Sequence, residues 1–279
     1  LGHKVVLSSY TDQTILNNGV KSCVDDACLP VKIFHGHVKD LVGKVDIILI
    51  PRLISVHPGE FICPKFIGLP EMIKHSVPGN PRLLVMNFNS RFSMEKGYDG
   101  MRNMGSELGA SRNLIARALE KARIRQKEHM RKMETEQGFH PACALDKRSQ
   151  YPIKSTKGII GLIGHPYLTY DQYINMDICR KLAARGYGML FPDNVPLEEI
   201  DRVCERNPKK LFWSYGKRLL GSGLSMLEHN RVVGLILVTS FGCGIDAFID
   251  ELLIRANQRE FKIPLTTLTL DEHTGQAGF

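Results

Sequence analysis

The sequence lacks several features that would assign it to a common class of protein. None of its apolar runs approaches the roughly 20 residues that cross a bilayer; typical runs are as short as residues 45–50. It contains no Gly-x-x-x-x-Gly-Lys-Ser/Thr phosphate loop and no Gly-x-Gly-x-x-Gly after a predicted strand. We therefore expect no membrane span, and no ATP or dinucleotide chemistry in the chain itself.

Aromatic residues are absent where the basic charge is concentrated. The net charge is +8, and residues 112–136 carry eight Lys or Arg against four acidic residues. This segment has the pattern of a helix with Ile115, Leu119 and Ala122 on one stripe. Nucleic-acid bases stack on aromatic side chains, which do not interleave with these charges. A solvated helix face is the better interpretation, and we expect no nucleic-acid partner.

The chain also lacks short Cys-x-x-Cys pairs, although it contains seven cysteines among 279 residues. An odd number of cysteines in a chain of this length is not typical of a disulfide scaffold. The missing pairs argue against an ordinary zinc knuckle or ribbon. The composition indicates a reducing cytoplasm, in which the thiols are either inert core residues or metal and redox ligands.

Short, β-branched apolar runs alternate with helix-length segments, which is typical of βαβ units with parallel sheets. The fold class is therefore α/β. The predicted strands are residues 4–7, 45–50, 82–86, 158–163, 188–191, 232–238 and 266–270. The predicted helices are residues 30–42, 69–75, 171–185, 197–205, 215–228 and 247–257, with a long charged helix over 106–137.

These elements predict two α/β domains, at residues 1–105 and 151–279, joined by a helical connector at 106–150. Both ends of the sequence read as trimmed. It has no initiator Met, and residues 275–279 follow a strand almost at once. We expect residues outside this sequence to complete the first and last α/β units.

Three cysteines lie where predicted strands or loops lead into helices. Cys28 precedes a helix that begins with Leu29 and Pro30, Cys63 precedes Pro64, and Cys243 follows a strand within Ser-Phe-Gly-Cys-Gly. In open α/β sheets ligands bind at such loops, and the positive end of a helix favours thiolate. A single buried cysteine is more often a packing residue. The spacing leaves zinc and iron–sulfur chemistry both open.

Several segments together resemble a known family over nearly the whole chain, namely residues 26–32 with His35-Gly36-His37, 50–52, 61–66, 161–167, 240–244 and 271–275. They resemble the activase-related, CoA enzyme activase-associated proteins of the 2-hydroxyacyl-CoA dehydratase superfamily, which includes benzoyl-CoA reductase subunits and double-cubane cluster proteins. The cysteine motifs are the most specific part.

The resemblance implies two flavodoxin- or Rossmann-like domains and three cysteine ligands, Cys28, Cys63 and Cys243. They would bind a 4Fe–4S cluster or half of a double cubane. It implies an iron–sulfur electron-transfer component that is reduced by an ATP-hydrolysing activase. The substrate would be an acyl-CoA or another poorly reducible compound, and the protein would form a homo- or heterodimer. The alternatives are a non-catalytic cluster-carrying or regulatory module of a larger activase-related protein, and zinc held by the same thiolates.

Polar residues after two other strands could serve in catalysis. His165 could donate a proton or hydrogen-bond a cluster sulfide, or it could only cap its loop. Glu272, between Asp271 and His273, could do acid–base work or have a structural role, which we favour. Among the remaining thiols, Cys23 is a possible fourth ligand that we expect to pack instead, and Cys143 has no assignment.

Overall fold

A computed structural model describes residues 1–79, 81–135, 155, 157–206 and 210–274. The chain divides into two compact units. One comprises Leu1–Lys127 with Phe212–Ser214, and the other comprises Glu128–Leu211 with Tyr215–Phe279. Both consist of α-helices and parallel strands, which confirms the predicted α/β class. In the ranges described, no helix is sufficiently long and apolar to traverse a membrane.

In the first unit the described residues form a sheet of two parallel strands, β1 (Ile48–Ser55) and β2 (Leu83–Asn89). Ile48 and Ile50 alternate with exposed positions and are buried against Val38, Ile73 and Val77. These strands confirm the predictions at 45–50 and 82–86. The helices are α1 (Gln13–Lys21), α2 (Leu29–Leu41), α3 (Pro64–Ile67), α4 (Leu69–Ser76), α5 (Met94–Gly97) and α6 (Asp99–Glu107).

Helix α1, which the sequence patterns do not predict, packs closely on α2 through two glycines. A Cβ on Gly19 would lie 1.9 Å from the carbonyl oxygen of Lys32, and one on Gly36 would lie 2.0 Å from that of Ile15. Only glycine allows the two backbones to approach so closely. This contact fixes α2, the helix that follows Cys28.

The strand predicted at residues 4–7 is wrong. Val5 and Leu7 are 80% and 78% exposed, and the segment pairs with no other strand in the described part of the chain. The residues that follow are instead held on α2. The hydroxyl of Ser8 lies 2.9 Å from Nδ1 of His37, and the backbone N–H of Ser9 donates to Asp40. A β-branched run without a neighbouring strand cannot form a ladder.

The single helix predicted over 106–137 is also wrong, because α6 ends at Glu107 and a separate helix, α7 (Arg112–Thr135), begins afterwards. Gly109 has a φ of +77°, and its N–H donates to the carbonyl of Ser106, which closes α6. Ser111 then caps α7 by accepting the N–H of Leu114. The glycine stop and the serine start are local signals that the charge pattern hid.

The second unit has a four-stranded parallel sheet in the order β4-β3-β5-β6. Its strands are β3 (Ile159–Gly164), β4 (Gly188–Leu190), β5 (Val232–Ser240) and β6 (Leu265–Leu270). They confirm the last four predicted strands. The helices are α8 (Pro166–Thr169), α9 (Ile178–Ala184), α10 (Leu197–Cys204), α11 (Ser214–Glu228) and α12 (Gly244–Ala256).

The helix predicted over 171–185 is shorter than expected, since α9 begins at Ile178. The carboxylate of Asp171 accepts the N–H groups of Tyr173 and Ile174, which forms a turn in place of a helix. Met176 and Asp177 have φ values of 53° and 57°, in the left-handed region. Side-chain bonds to the backbone thus outcompete the helix that the apolar spacing predicts.

Strands β3 and β5 form the centre of the second unit. Leu162, Ile163, Leu235 and Leu237 are each at most 2% exposed. Because residues that point to both faces are buried, these parallel strands read as continuous apolar runs. Their carboxyl ends, which lie side by side in the sheet, present the loops that carry the candidate functional residues of this unit.

Candidate functional site

The three cysteines predicted as ligands all occupy the N-cap position of a helix. Cys28 precedes α2, Cys63 precedes α3 and Cys243 precedes α12, with ψ angles of 153°, 134° and 103°. None of the three side chains caps its helix through a hydrogen bond. The N–H groups of a first helical turn are unpaired and carry partial positive charge. The thiols of Cys28 and Cys243 therefore lie at the positive ends of full-length helices.

In the first unit, Cys28 and Cys63 are near enough for their charges to interact. Burial raises the pKa of the Cys28 thiol, the charge of Lys65 lowers it, and the thiol of Cys63 raises it. Nζ of Lys65 donates to the carbonyl of Asp26 at 3.4 Å, which holds the cation at this loop. Because the pKa is raised, Cys28 carries its proton at neutral pH, and a metal ion would have to displace that proton.

Cys23 lies in the same region. Burial raises the pKa of its thiol, and the charge interactions that act on it come from Lys32, Cys28 and Lys65. Its side chain packs on the apolar cluster around Leu69, as expected for a packing residue. Of the two lysines whose charges act on Cys23, Lys32 and Lys65, Lys32 is buried, with only 3% of its surface exposed.

The second unit brings His165, Cys243 and Asp246 together. A ring nitrogen of His165, Sγ of Cys243 and a carboxylate oxygen of Asp246 lie within 4.8 Å of one another. His165 follows β3 directly, and Cys243 follows the neighbouring strand β5. Parallel strands end at the same edge of their sheet, which places the two residues side by side. Within the described ranges, this group has the geometry of a possible metal-binding site.

The imidazole of His165 is held in place on several sides. Its ring stacks on Tyr167 with centroids 4.9 Å apart and meets the edge of Tyr215 at 5.4 Å. Nε2 lies 2.8 Å from Oδ1 of Asp246. These two atoms form a close ion-pair contact, but Oδ1 of Asp246 and Nδ1 of His165 are both buried without a hydrogen-bond partner. His165 and Asp246 are each 3% exposed.

Gly164 determines where His165 lies. It pairs with Val238 of β5, and a Cβ at Gly164 would be 2.5 Å from the carbonyl oxygen of Val238. A larger residue would therefore push the end of β3 away from β5. The close approach of these two backbones brings His165 to the loop that carries Cys243.

Asp246 is the residue of this group that sequence reasoning missed. It stands in the first turn of α12, three residues after Cys243, and its Oδ2 accepts the N–H of Ser240 at 3.3 Å. An acidic residue in the first turn of a helix is a common start signal. From sequence alone Asp246 therefore reads as part of a helix start, and its approach to His165 depends on the packing of two strands.

A second polar cluster lies near His165 in the same unit. The hydroxyl of Tyr170 donates to the carboxylate of Asp193, which also lies 2.8 Å from Nε of Arg218. Burial and then the charge of Asp193 raise the pKa of Tyr170 well above its ordinary value, and the same causes raise that of Tyr215. Both tyrosines keep their protons at neutral pH.

Glu272 lies in the turn after β6. In that turn the carboxylate of Asp271 accepts bonds from the backbone N–H of His273 and the hydroxyl of Thr274, a structural role for Asp271. Among the described residues Glu272 is not a member of the group around His165, and its acid–base role stays a prediction. Cys143 lies outside the described residues.

One family matches most of the chain. Residues 1–195 match the family described as CoA enzyme activase uncharacterised domain (DUF2229). The matched range contains Cys28, Cys63 and His165, whereas Cys243 and Asp246 follow it. No curated protein matches the chain. Since the match extends over more than half of its residues, the chain belongs to the DUF2229 family of CoA enzyme activase-related domains.

Proposed function

We propose that this protein is an iron–sulfur electron-transfer component of the 2-hydroxyacyl-CoA dehydratase type. Cys28, Cys63 and Cys243 bind a 4Fe–4S cluster or half of a double cubane. An ATP-hydrolysing activase reduces the cluster, and the substrate is an acyl-CoA or another compound that is difficult to reduce. The observation that carries the proposal is the shared geometry of the three cysteines, each of which is the N-cap residue of a helix.

The donor groups are suited to such a cluster. Thiolates are the ordinary ligands of iron–sulfur clusters, and reduction potentials depend on net charge and on hydrogen bonds to the sulfur atoms. Cys28 and Cys63 come from separate loops, yet their thiols interact electrostatically. Lys65, whose charge lowers the pKa of Cys28, would offset part of the negative charge of a thiolate-bound cluster.

Each part of the protein has a defined task in this proposal. When bound, the cluster would supply one-electron chemistry. The positive ends of α2 and α12 stabilise the anionic sulfurs of Cys28 and Cys243. His165 and Glu272 are the predicted groups for proton transfer. The protonated hydroxyl of Tyr215 can donate a hydrogen bond to a bound substrate.

A non-catalytic cluster-carrying or regulatory module of a larger activase-related protein is the second candidate. The family to which the chain belongs is related to the activase, which favours this candidate. Zinc held by the same three thiolates is a third possibility, because thiolate is a common zinc ligand. We further propose an oxygen-sensitive homo- or heterodimer that works in a reducing cytoplasm.

Metal analysis of anaerobically purified protein tests the proposal. We expect about four irons and equivalent sulfide per chain with visible absorption, as for a 4Fe–4S cluster. Separate Cys28→Ala, Cys63→Ala and Cys243→Ala variants should each lose at least half of the iron. Cys204→Ala is the matched control, because Cys204 is also half-buried but lies at the end of α10.

Iron that all three variants retain, or protein without iron, would contradict the cluster assignment. Colourless protein with one zinc would support the zinc alternative. To distinguish an enzyme from a non-catalytic module, the cluster-containing protein is mixed with activase, ATP and a 2-hydroxyacyl-CoA. Turnover supports the dehydratase type, whereas reduction of the cluster without turnover supports the module.

A further inference from the structure

We propose that, when no cluster is assembled, the second unit binds one divalent transition-metal ion, Zn²⁺ or Fe²⁺, through His165, Cys243 and Asp246. These three residues belong to one compact unit. The site shares Cys243 with the proposed cluster but requires neither Cys28 nor Cys63. It can therefore be tested whether or not the cluster exists.

The separation of the donor atoms fits a single ion. A ring nitrogen, Sγ and a carboxylate oxygen lie within 4.8 Å of one another. Ligands of one tetrahedral zinc ion are about 3.5 Å apart, given bonds of about 2.1 Å to nitrogen or oxygen and 2.3 Å to sulfur. Side-chain movements of about 1 Å would thus bring all three atoms onto one ion.

The contact between His165 and Asp246 also indicates a cation. Nε2 and Oδ1 are 2.8 Å apart, yet Oδ1 accepts no hydrogen bond. A buried carboxylate oxygen that accepts no hydrogen bond is costly, because burial removes it from water and no hydrogen bond replaces that hydration. When a ring nitrogen and a carboxylate oxygen bind the same metal ion, the two atoms lie close together and no N–H lies between them. A bound cation would satisfy Oδ1.

The protein holds these donors rigidly before any ion binds. Tyr167 and Tyr215 fix the plane of the imidazole, and the backbone N–H of Ser240 holds the other carboxylate oxygen of Asp246. His165 and Asp246 are each 3% exposed, whereas Cys243 is half-buried and leaves a route for an ion. Little conformational freedom would be lost on binding.

Imidazole, thiolate and carboxylate together select borderline divalent ions. Thiolate and imidazole favour zinc and iron over magnesium or calcium, which prefer oxygen ligands. A three-residue donor set also leaves a coordination position open, as in catalytic zinc sites.

Cobalt(II) titration of the metal-free protein under reducing conditions tests the site. We expect one equivalent of Co²⁺ to produce a thiolate-to-cobalt charge-transfer band. Cys243→Ala should abolish the band, and His165→Ala and Asp246→Asn should each raise the dissociation constant at least about tenfold. Asn at 246 can still accept the N–H of Ser240, so local structure is retained, and circular dichroism verifies the fold of every variant.

The controls separate this inference from the cluster proposal. Cys28→Ala and Cys63→Ala should bind cobalt as the unaltered protein does, and so should Glu251→Gln, which changes an exposed carboxyl of α12 that pairs with Arg255. Metal analysis of protein isolated without a cluster then distinguishes zinc from iron. No charge-transfer band, a band that survives Cys243→Ala, or cobalt affinity unchanged in both His165→Ala and Asp246→Asn would overturn the inference.

Discussion

The carboxyl of Asp250 makes the stability of the metal-free protein depend on pH. Burial and the nearby charge of Asp246 raise the pKa of Asp250 from its ordinary value of 3.8 to about 7. The folded protein therefore holds a proton that the unfolded chain releases. The free energy of unfolding should fall as the pH rises from about 4 to about 7, and this loss of stability should stay constant above that range.

The size of this effect follows from the difference between the two pKa values. At about 1.36 kcal/mol per pKa unit, the difference between 3.8 and about 7 corresponds to ~4 kcal/mol. Asp250 is only half-buried, so water screens the charge. We expect Asp250→Asn to raise the free energy of unfolding by about 2 kcal/mol at pH 8, and to change it little at pH 4.

Urea unfolding followed by circular dichroism, with a chelator present, measures both proteins from pH 4 to pH 8. The informative quantity is the difference between variant and unaltered protein at each pH, because other titrating groups cancel in it. If that difference is the same at pH 4 and pH 8, Asp250 does not hold a proton in the folded state, and the reasoning is refuted.

Three further predictions concern the second unit. Gly164→Ala should lower the free energy of unfolding by about 1–3 kcal/mol and weaken cobalt binding, because its Cβ would meet the carbonyl of Val238; unchanged cobalt affinity would show that β3 tolerates the larger residue. Leu237→Ala should cost about 2–5 kcal/mol in urea unfolding, since Leu237 is fully buried, and a loss below 1 kcal/mol would contradict its central place. Tyr170→Phe should cost about 1–3 kcal/mol by removing a buried donor from Asp193; equal stability would mean that water replaces the hydroxyl.

Local sequence signals predicted much of the fold. The β-branched runs located six strands, and local signals located the helices that follow Cys28 and Cys243, whereas the short helix α3 after Cys63 was not predicted. These features depend on residues adjacent in the chain, whose backbone preferences act in any context. The same reasoning failed where local signals compete, as at Gly109, where a helix stop lies inside a charged helical pattern.

The candidate site was only partly predictable. The sequence alone determined the α/β class, the reactive residue types and their positions at the ends of strands or the starts of helices. Only the tertiary structure decided that β3 lies beside β5, and hence that His165 meets Cys243 and Asp246. The physical reason is that strand order depends on long-range packing, which short-range backbone preferences do not encode.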